Sequence, residues 1–165
     1  MAFRIAWFKV YHPLAFYAAY FYRRSQKGGF DAVLMTQGKE AIMANMDAIT
    51  SNENATDKDD DLLTTMEVVY EYYIRGFEFL PIDIYKSHAT KFLIQDGKLL
   101  PPFVSISGLG ENAAWDLMNG REGKTFITVE EVALACPKVS KTHIQMLKDA
   151  GAFGSLPDTS QISLF

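Results

Sequence analysis

A single cysteine, Cys136, has no partner for an internal disulfide, and it excludes any zinc site built from clustered cysteines. Such usage fits a reducing cytosol. Long apolar runs are missing as well. The aromatic stretch from Phe3 to Tyr22 is broken by Arg4, Lys9, His12 and Pro13, and its longest unbroken piece, Leu14 to Tyr22, falls far short of the roughly 20 residues a membrane span needs. No small-residue cleavage site follows, so the stretch is no signal peptide either, and no membrane contact is expected. Nor is there an excess of positive charge. A net charge of −4 and an isoelectric point near 5.3 argue against bulk attraction to nucleic acid. Residues 85–150, with 8 Lys/Arg against 7 Asp/Glu, are mildly basic beside residues 1–84, with 8 against 12.

A recognisable metal-binding pattern is also missing. Ser51 to Asp61 gathers Glu53, Asp57, Asp59, Asp60 and Asp61, but no glycine stands at the sharp turn of a calcium loop and no distal Glu completes one. The run reads as an exposed acidic linker over 51–61, with Asp59 to Asp61 capping the helix that follows. His143 has no second His or carboxylate at ligand spacing and reads as a surface or packing residue. No pair of carboxylates forms a credible catalytic arrangement, so no catalytic residue, metal ligand or cofactor is assigned to this chain.

What is present is an ordinary globular composition, 48% hydrophobic and 22% charged, enough for one good-sized core or two small ones. Helical spacing marks Ile5, Phe8 and Tyr11, then Phe16, Ala19 and Tyr20 after Pro13, with Gly28-Gly29 as the stop. It returns at Ile42, Met46 and Ile49, and again from Leu62 to Tyr73, where Gly76 ends the helix. From Phe77 the period shortens, and Lys91 to Gln95 with Lys98 to Leu100 flank Asp96-Gly97, a two-residue hairpin signal. The fold class is therefore mainly α with a small β-hairpin element. A fragment cut after Gly76 is expected to leave a soluble C-terminal half and an aggregating, aromatic N-terminal one.

The most informative stretch follows Pro101-Pro102. In Ile106-Ser107-Gly108-Leu109-Gly110, followed by Ala114 and Leu117, the order hydrophobic, x, Gly, hydrophobic, Gly, then Ala and Leu is the pattern of a helix-hairpin-helix. Both glycines are expected at dihedrals that a side chain would forbid, with Leu109 pointing between two short helices and Ala114 at their closest approach. The amides of Gly110, Glu111 and Asn112 then start a helix and suit an anion such as a DNA phosphate. Gly108, Leu109, Gly110 and Asn112 are the candidate contacts, and such contacts read no sequence. A Gly-x-Gly turn before an amphipathic helix also occurs in proteins that bind no nucleic acid.

A second, degenerate copy follows Arg121. Thr128 and Glu131 form a capping box for a helix whose apolar residues are Val132, Leu134 and Ala135; Pro137 to Ser140 makes the turn; Ser140 caps a helix with Ile144, Leu147 and Ala150, closed by Gly151. Lys138, Ser140 and Lys141 are its candidate phosphate contacts, although capping alone would explain the serine and solubility the lysines. Gly154 to Ser160 holds turn formers without periodicity and is expected to be flexible, projecting Gln161, Ile162, Ser163, Leu164 and Phe165. Those five suit a groove: Gln161 fixes register, Ile162 and Leu164 fill a shallow pocket, Phe165 anchors and Ser163 faces outward. The alternative is a frayed tail folded back onto Phe153.

Ordered blocks across the chain resemble the carboxy-terminal part of the PolC-type DNA polymerase III alpha subunit of low-GC Gram-positive bacteria. They are Ala2 to Phe21, Leu80-Pro81-Ile82-Asp83-Ile84-Tyr85-Lys86-Ser87, Pro101-Pro102-Phe103, Gly108-Leu109-Gly110, Val139-Ser140-Lys141-Thr142-His143-Ile144, Gly151-Ala152-Phe153 and Gln161 to Phe165. The resemblance implies the end of a polymerase fingers region over 1–50, a helix plus small β element over 62–102 and a tandem helix-hairpin-helix over 103–153 that tracks duplex DNA. Over 154–165 it implies a tail bearing a sliding-clamp peptide. Ile162 departs from it, standing where that peptide commonly has Leu. Family members polymerise with paired palm carboxylates and divalent metal ions, which would lie upstream of Met1; the uncapped first helix fits a Met1 internal to a longer reading frame. The implied partners are duplex DNA, the bacterial sliding clamp and upstream polymerase domains, in the cytoplasm. A free-standing, non-enzymatic DNA- and clamp-binding adaptor is the competing reading, and an unrelated helical domain a third.

Overall fold

The computed structural model describes residues 1–160; Gln161, Ile162, Ser163, Leu164 and Phe165, with the clamp-peptide expectation that falls on them, lie outside the described residues. Helices α1 (Ala2–Tyr11) and α2 (Pro13–Ser25) meet where Pro13 takes the first helical position, at which a missing N–H costs nothing. Gly28, at φ +69°, ends the second by turning left-handed, a conformation cheap only for glycine. A short α3 (Ala32–Met35), not foreseen from spacing, forms because Asp31 accepts from the Val33 N–H at 2.9 Å and caps it. Helix α4 (Lys39–Thr50) then packs beside α5 (Asp57–Ile74).

The acidic run is linker only in its first part, and residues 57–61 belong to a helix. Helix α5 starts at Asp57, and its cap is Thr56: the Asp59 N–H donates to Thr56 Oγ1, while the Asp59 carboxylate accepts from the Thr56 N–H at 2.8 Å. Asp57, Asp59 and Asp60 thus occupy the first turn, where the helix dipole favours negative charge, and only the residues before Thr56 link α4 to α5. The capping hydrogen bonds hold the Asp59 carboxyl below its ordinary value.

Strands β1 (Leu93–Gln95) and β2 (Lys98–Leu100) pair antiparallel with Ile94 opposite Leu99. Asp96 and Gly97, at φ +51° and +73°, make the left-handed two-residue turn their sequence signals. The segment at Phe79 joins alongside: the Leu80 N–H donates to Leu99 O at 2.8 Å, and Phe79 bridges Leu99 in parallel.

One cluster of buried side chains runs from Tyr17 and Phe21 through Tyr72 and Phe103 to Leu147 and Phe153. Its aromatic centre is Phe21, whose ring lies 5.2 Å from Phe30, 5.9 Å from Tyr72, 5.7 Å from Phe79 and 5.8 Å from Phe92. The segments separated by sequence share this core. A cut after Gly76 would part Tyr17, Phe21 and Tyr72 from Phe79 and Phe92, so the expectation of a soluble C-terminal half is revised: neither half keeps a closed core. Helix α1 alone buries no side chain; Phe3 is 82% exposed and Tyr11 65%. It is tethered by polar contacts instead, with Lys9 paired to Glu71 at 2.6 Å and Arg75 donating to Lys9 O and to the Tyr17 hydroxyl.

Candidate functional site

The first hairpin is tighter than expected. Its leading element, Phe103–Ser105, is a single 3-10 turn and not an α-helix. Pro101 and Pro102 supply no N–H, Pro102 is held extended, and Ile106 returns to extended backbone, so no room remains for an α-helical turn. That short turn is pinned by the Phe103 and Val104 N–H groups, which donate to His88 O and Ala89 O at 3.0 and 3.1 Å. The Leu109 N–H then donates to Ile106 O at 3.0 Å and closes the loop, after which α6 (Glu111–Gly120) begins. Leu109, Ala113, Ala114 and Leu117 are buried, while Ser107, Gly108, Gly110, Glu111 and Asn112 face solvent.

The second hairpin repeats the turn with different side chains. Between α7 (Val129–Ala135) and α8 (Lys141–Asp149), the Val139 N–H donates to Cys136 O at 3.0 Å, matching Leu109 and Ile106. Gly110 and Ser140, which start α6 and α8, have φ, ψ of −70°, 162° and −75°, 166°. Val139 and Leu147 are buried where Leu109 and Leu117 are buried in the first copy. Ser140 Oγ accepts from the His143 N–H, and His143 Nδ1 accepts from the Ser140 N–H, both at 3.2 Å. His143 is therefore a capping residue, more specific than the surface or packing role expected for it. Leu134 does not share the apolar face with Val132: two residues apart on a helix they point to opposite sides, and Leu134 is 84% exposed.

The two copies brace each other. Lys138 N–H donates to Asp116 Oδ2 of α6 at 2.8 Å, and Met146 of α8 packs on Gly108. Helices α6 and α7 meet closely at Gly120, where a Cβ would stand 2.5 Å from Cys136 Sγ and 2.9 Å from Ala135 O, and Ala114 is fully buried within the first hairpin. Glycine is required at only one position of the first turn. Gly108 has φ +91°, whereas Gly110 lies in a region open to any residue, and a Cβ there would meet nothing within 4 Å.

A family model described as "Helix-hairpin-helix motif" matches residues 76–162. The chain belongs to this helix-hairpin-helix family. Across its whole length it is 45% identical to the PolC-type DNA polymerase III of Thermotoga petrophila, 46% to that of Caldanaerobacter subterraneus and 44% to that of Listeria innocua. It spans 12%, 12% and 11% of those proteins, respectively.

The helix-hairpin-helix brings the expected residues to two corresponding turns, with unlike chemistry. At the first, the start of α6 presents backbone amides and Asn112 beside Glu111, whose carboxylate accepts from Trp115 Nε1 at 3.2 Å. At the second, Lys138 and Lys141 are exposed, and the Ser140 hydroxyl is engaged as a cap. Arg121 belongs to the frame, donating to Ile84 O at 2.8 Å with its guanidinium 5.6 Å from the Phe103 ring centroid. The chain after Phe153 stays on the helix-hairpin-helix longer than its composition implied. The Val129 and Glu130 N–H groups donate to Pro157 O and Asp158 O at 3.0 and 3.3 Å, and Asp158 pairs with Lys148 at 2.7 Å. Carbonyls from the tail thus satisfy the first amides of α7, a long-range cap that no local spacing signals. No helix among the described residues is long and apolar enough to cross a membrane.

Proposed function

We propose that the tandem helix-hairpin-helix holds the sugar-phosphate backbone of duplex DNA without reading sequence. In this reading the chain is the DNA-holding and clamp-docking part of a PolC-type replicative polymerase, acting in the cytoplasm. The observation that carries the reading is the repeated turn. Gly110 and Ser140 share one backbone conformation, and each starts a helix whose first amides and dipole favour an anion. Gly110 lets a phosphate approach the α6 amides without a side chain in the way, and Lys138 and Lys141 add positive charge at the second turn. The identity to PolC-type polymerases over the full length supports the replicative setting.

Docking of Gln161, Ile162, Ser163, Leu164 and Phe165 to a bacterial sliding clamp rests on their chemistry: a hydrogen-bonding glutamine, two aliphatic side chains and an aromatic anchor. Nucleotide transfer is assigned to the carboxylate-held metal ions expected elsewhere in such a polymerase. The contribution of this chain is binding.

Fluorescence anisotropy of two labelled duplexes of unrelated sequence, in low salt, tests the first part. Equal affinities for both, weakened alike in a K138Q/K141Q variant, are expected. Absence of binding, or a preference for one duplex, would overturn it. For the second part, deletion of Gln161 to Phe165 should abolish binding to the clamp in surface plasmon resonance at an unchanged melting temperature. Retained clamp binding overturns that part.

A further inference from the structure

Among the described residues outside α1, the most exposed large apolar side chains are Leu134, at 84%, and Ile127, at 69%. Both belong to one side of α7. The Ile127 N–H donates to the Glu131 carboxylate at 2.7 Å, and Leu134 follows Glu131 by three residues, one turn on along the same face. The helix itself explains neither side chain. A hydrophobic residue just before an N-cap ordinarily packs on the fourth helical residue, but that residue, Val132, is wholly buried while Ile127 stands in solvent. Leu134 points away from the core that Val132 enters.

The chain itself brings an occupant to this face. Pro157 O and Asp158 O accept from the Val129 and Glu130 N–H groups, and Lys148 holds Asp158 at 2.7 Å, so the chain is pinned at the start of α7 shortly before Gln161. The seven residues from Asp158 to Phe165 can span up to about 24 Å. Leu134 lies only about 6 Å along the α7 axis from Glu130. Gln161 to Phe165 carry no charged side chain, and three of the five are the large apolar Ile162, Leu164 and Phe165. Resting on the clamp-docking reading above, we infer that Ile162, Leu164 and Phe165 pack against Ile127 and Leu134 when no clamp is bound, so that α7 and the clamp compete for one peptide. Tethering makes a small contact sufficient, because the peptide meets the face at a high effective concentration. The fraction of chains with the peptide released then sets the apparent affinity for the clamp.

Methyl NMR of the full chain at two protein concentrations tests the contact. Removing Gln161 to Phe165 is expected to shift the Ile127 and Leu134 methyl signals and to leave those of the core residues Leu99 and Leu117 in place. Surface plasmon resonance on immobilised sliding clamp tests the competition. L134Q should bind two- to threefold more tightly than wild type, and L134M, which keeps an apolar side chain, should match wild type. A competition of that size moves the melting temperature by no more than about 2 °C. Unchanged methyl signals, signals that move with protein concentration, or wild-type clamp affinity in L134Q each overturn the inference and leave the clamp reading standing. Absence of clamp binding by both wild type and L134Q overturns both.

Discussion

Met146 Cε lies 2.8 Å from the point where a Cβ on Gly108 would stand, so the last helix of the second hairpin closes directly over the turn of the first. Gly108 is doubly constrained, by this contact and by φ +91°. Gly108→Ala is expected to destabilise the chain by about 1–3 kcal/mol, from left-handed strain plus overpacking. Replacing Met146 with Ala alongside should recover only the packing part. Urea unfolding of the single and double variants measures both terms, and a Gly108→Ala protein as stable as wild type would show that the turn relaxes.

Gly110 should behave in the opposite way. Its conformation suits an aspartate cap, so Gly110→Asp is expected to stabilise α6 by up to about 1 kcal/mol while placing a carboxylate in front of the amides proposed for phosphate. A higher midpoint in thermal unfolding together with weaker duplex binding is the expected pair of results. If affinity is unchanged, the amides of α6 do not meet the backbone.

His88 sets a pH limit on the fold. Its Nδ1 accepts from the Thr90 and Lys91 N–H groups at 3.0 and 3.1 Å, which requires an unprotonated nitrogen. Burial first, then the nearby Lys91 and Arg121 charges, lower its pKa from the usual 6.5. Because the unfolded chain takes up this proton first as pH falls, the His88 contribution to stability is complete above about 6.5. It is lost below that, toward the folded-state value. Urea midpoints between pH 7.5 and 5 should therefore decline in wild type, and a His88→Asn variant should show a flatter profile. Parallel profiles would remove His88 from the account.

The Cys136 thiol is expected to be unreactive in the native state. Burial, reinforced by Asp116, pushes its pKa up to about 11, and Gly120 packs against it. Native protein at pH 8 should resist a thiol reagent that labels it fully in urea. Gly120→Ala should force the helices apart, cost about 1–3 kcal/mol and raise the native labelling rate. Fast labelling of the wild-type chain would contradict the packing at Gly120.

Features set by a few adjacent residues were legible before any fold was known. Pro13 begins α2, Asp96-Gly97 turns the hairpin, Ser140 caps α8, and the glycine-flanked Leu109 marks the helix-hairpin-helix, because each depends on dihedral preferences and hydrogen bonds within about one turn. Tertiary structure decided the rest. That Gly108 has no space for a side chain is decided by Met146, which lies far along the chain; and Asp57 to Asp61 became helical because Thr56 caps α5 and α4 packs alongside. Carbonyls after Phe153 reach back to the start of α7 for the same reason. Side-chain periodicity reports which face of a segment is apolar, but the partner that covers that face is chosen by packing across the whole core, and no local pattern encodes it.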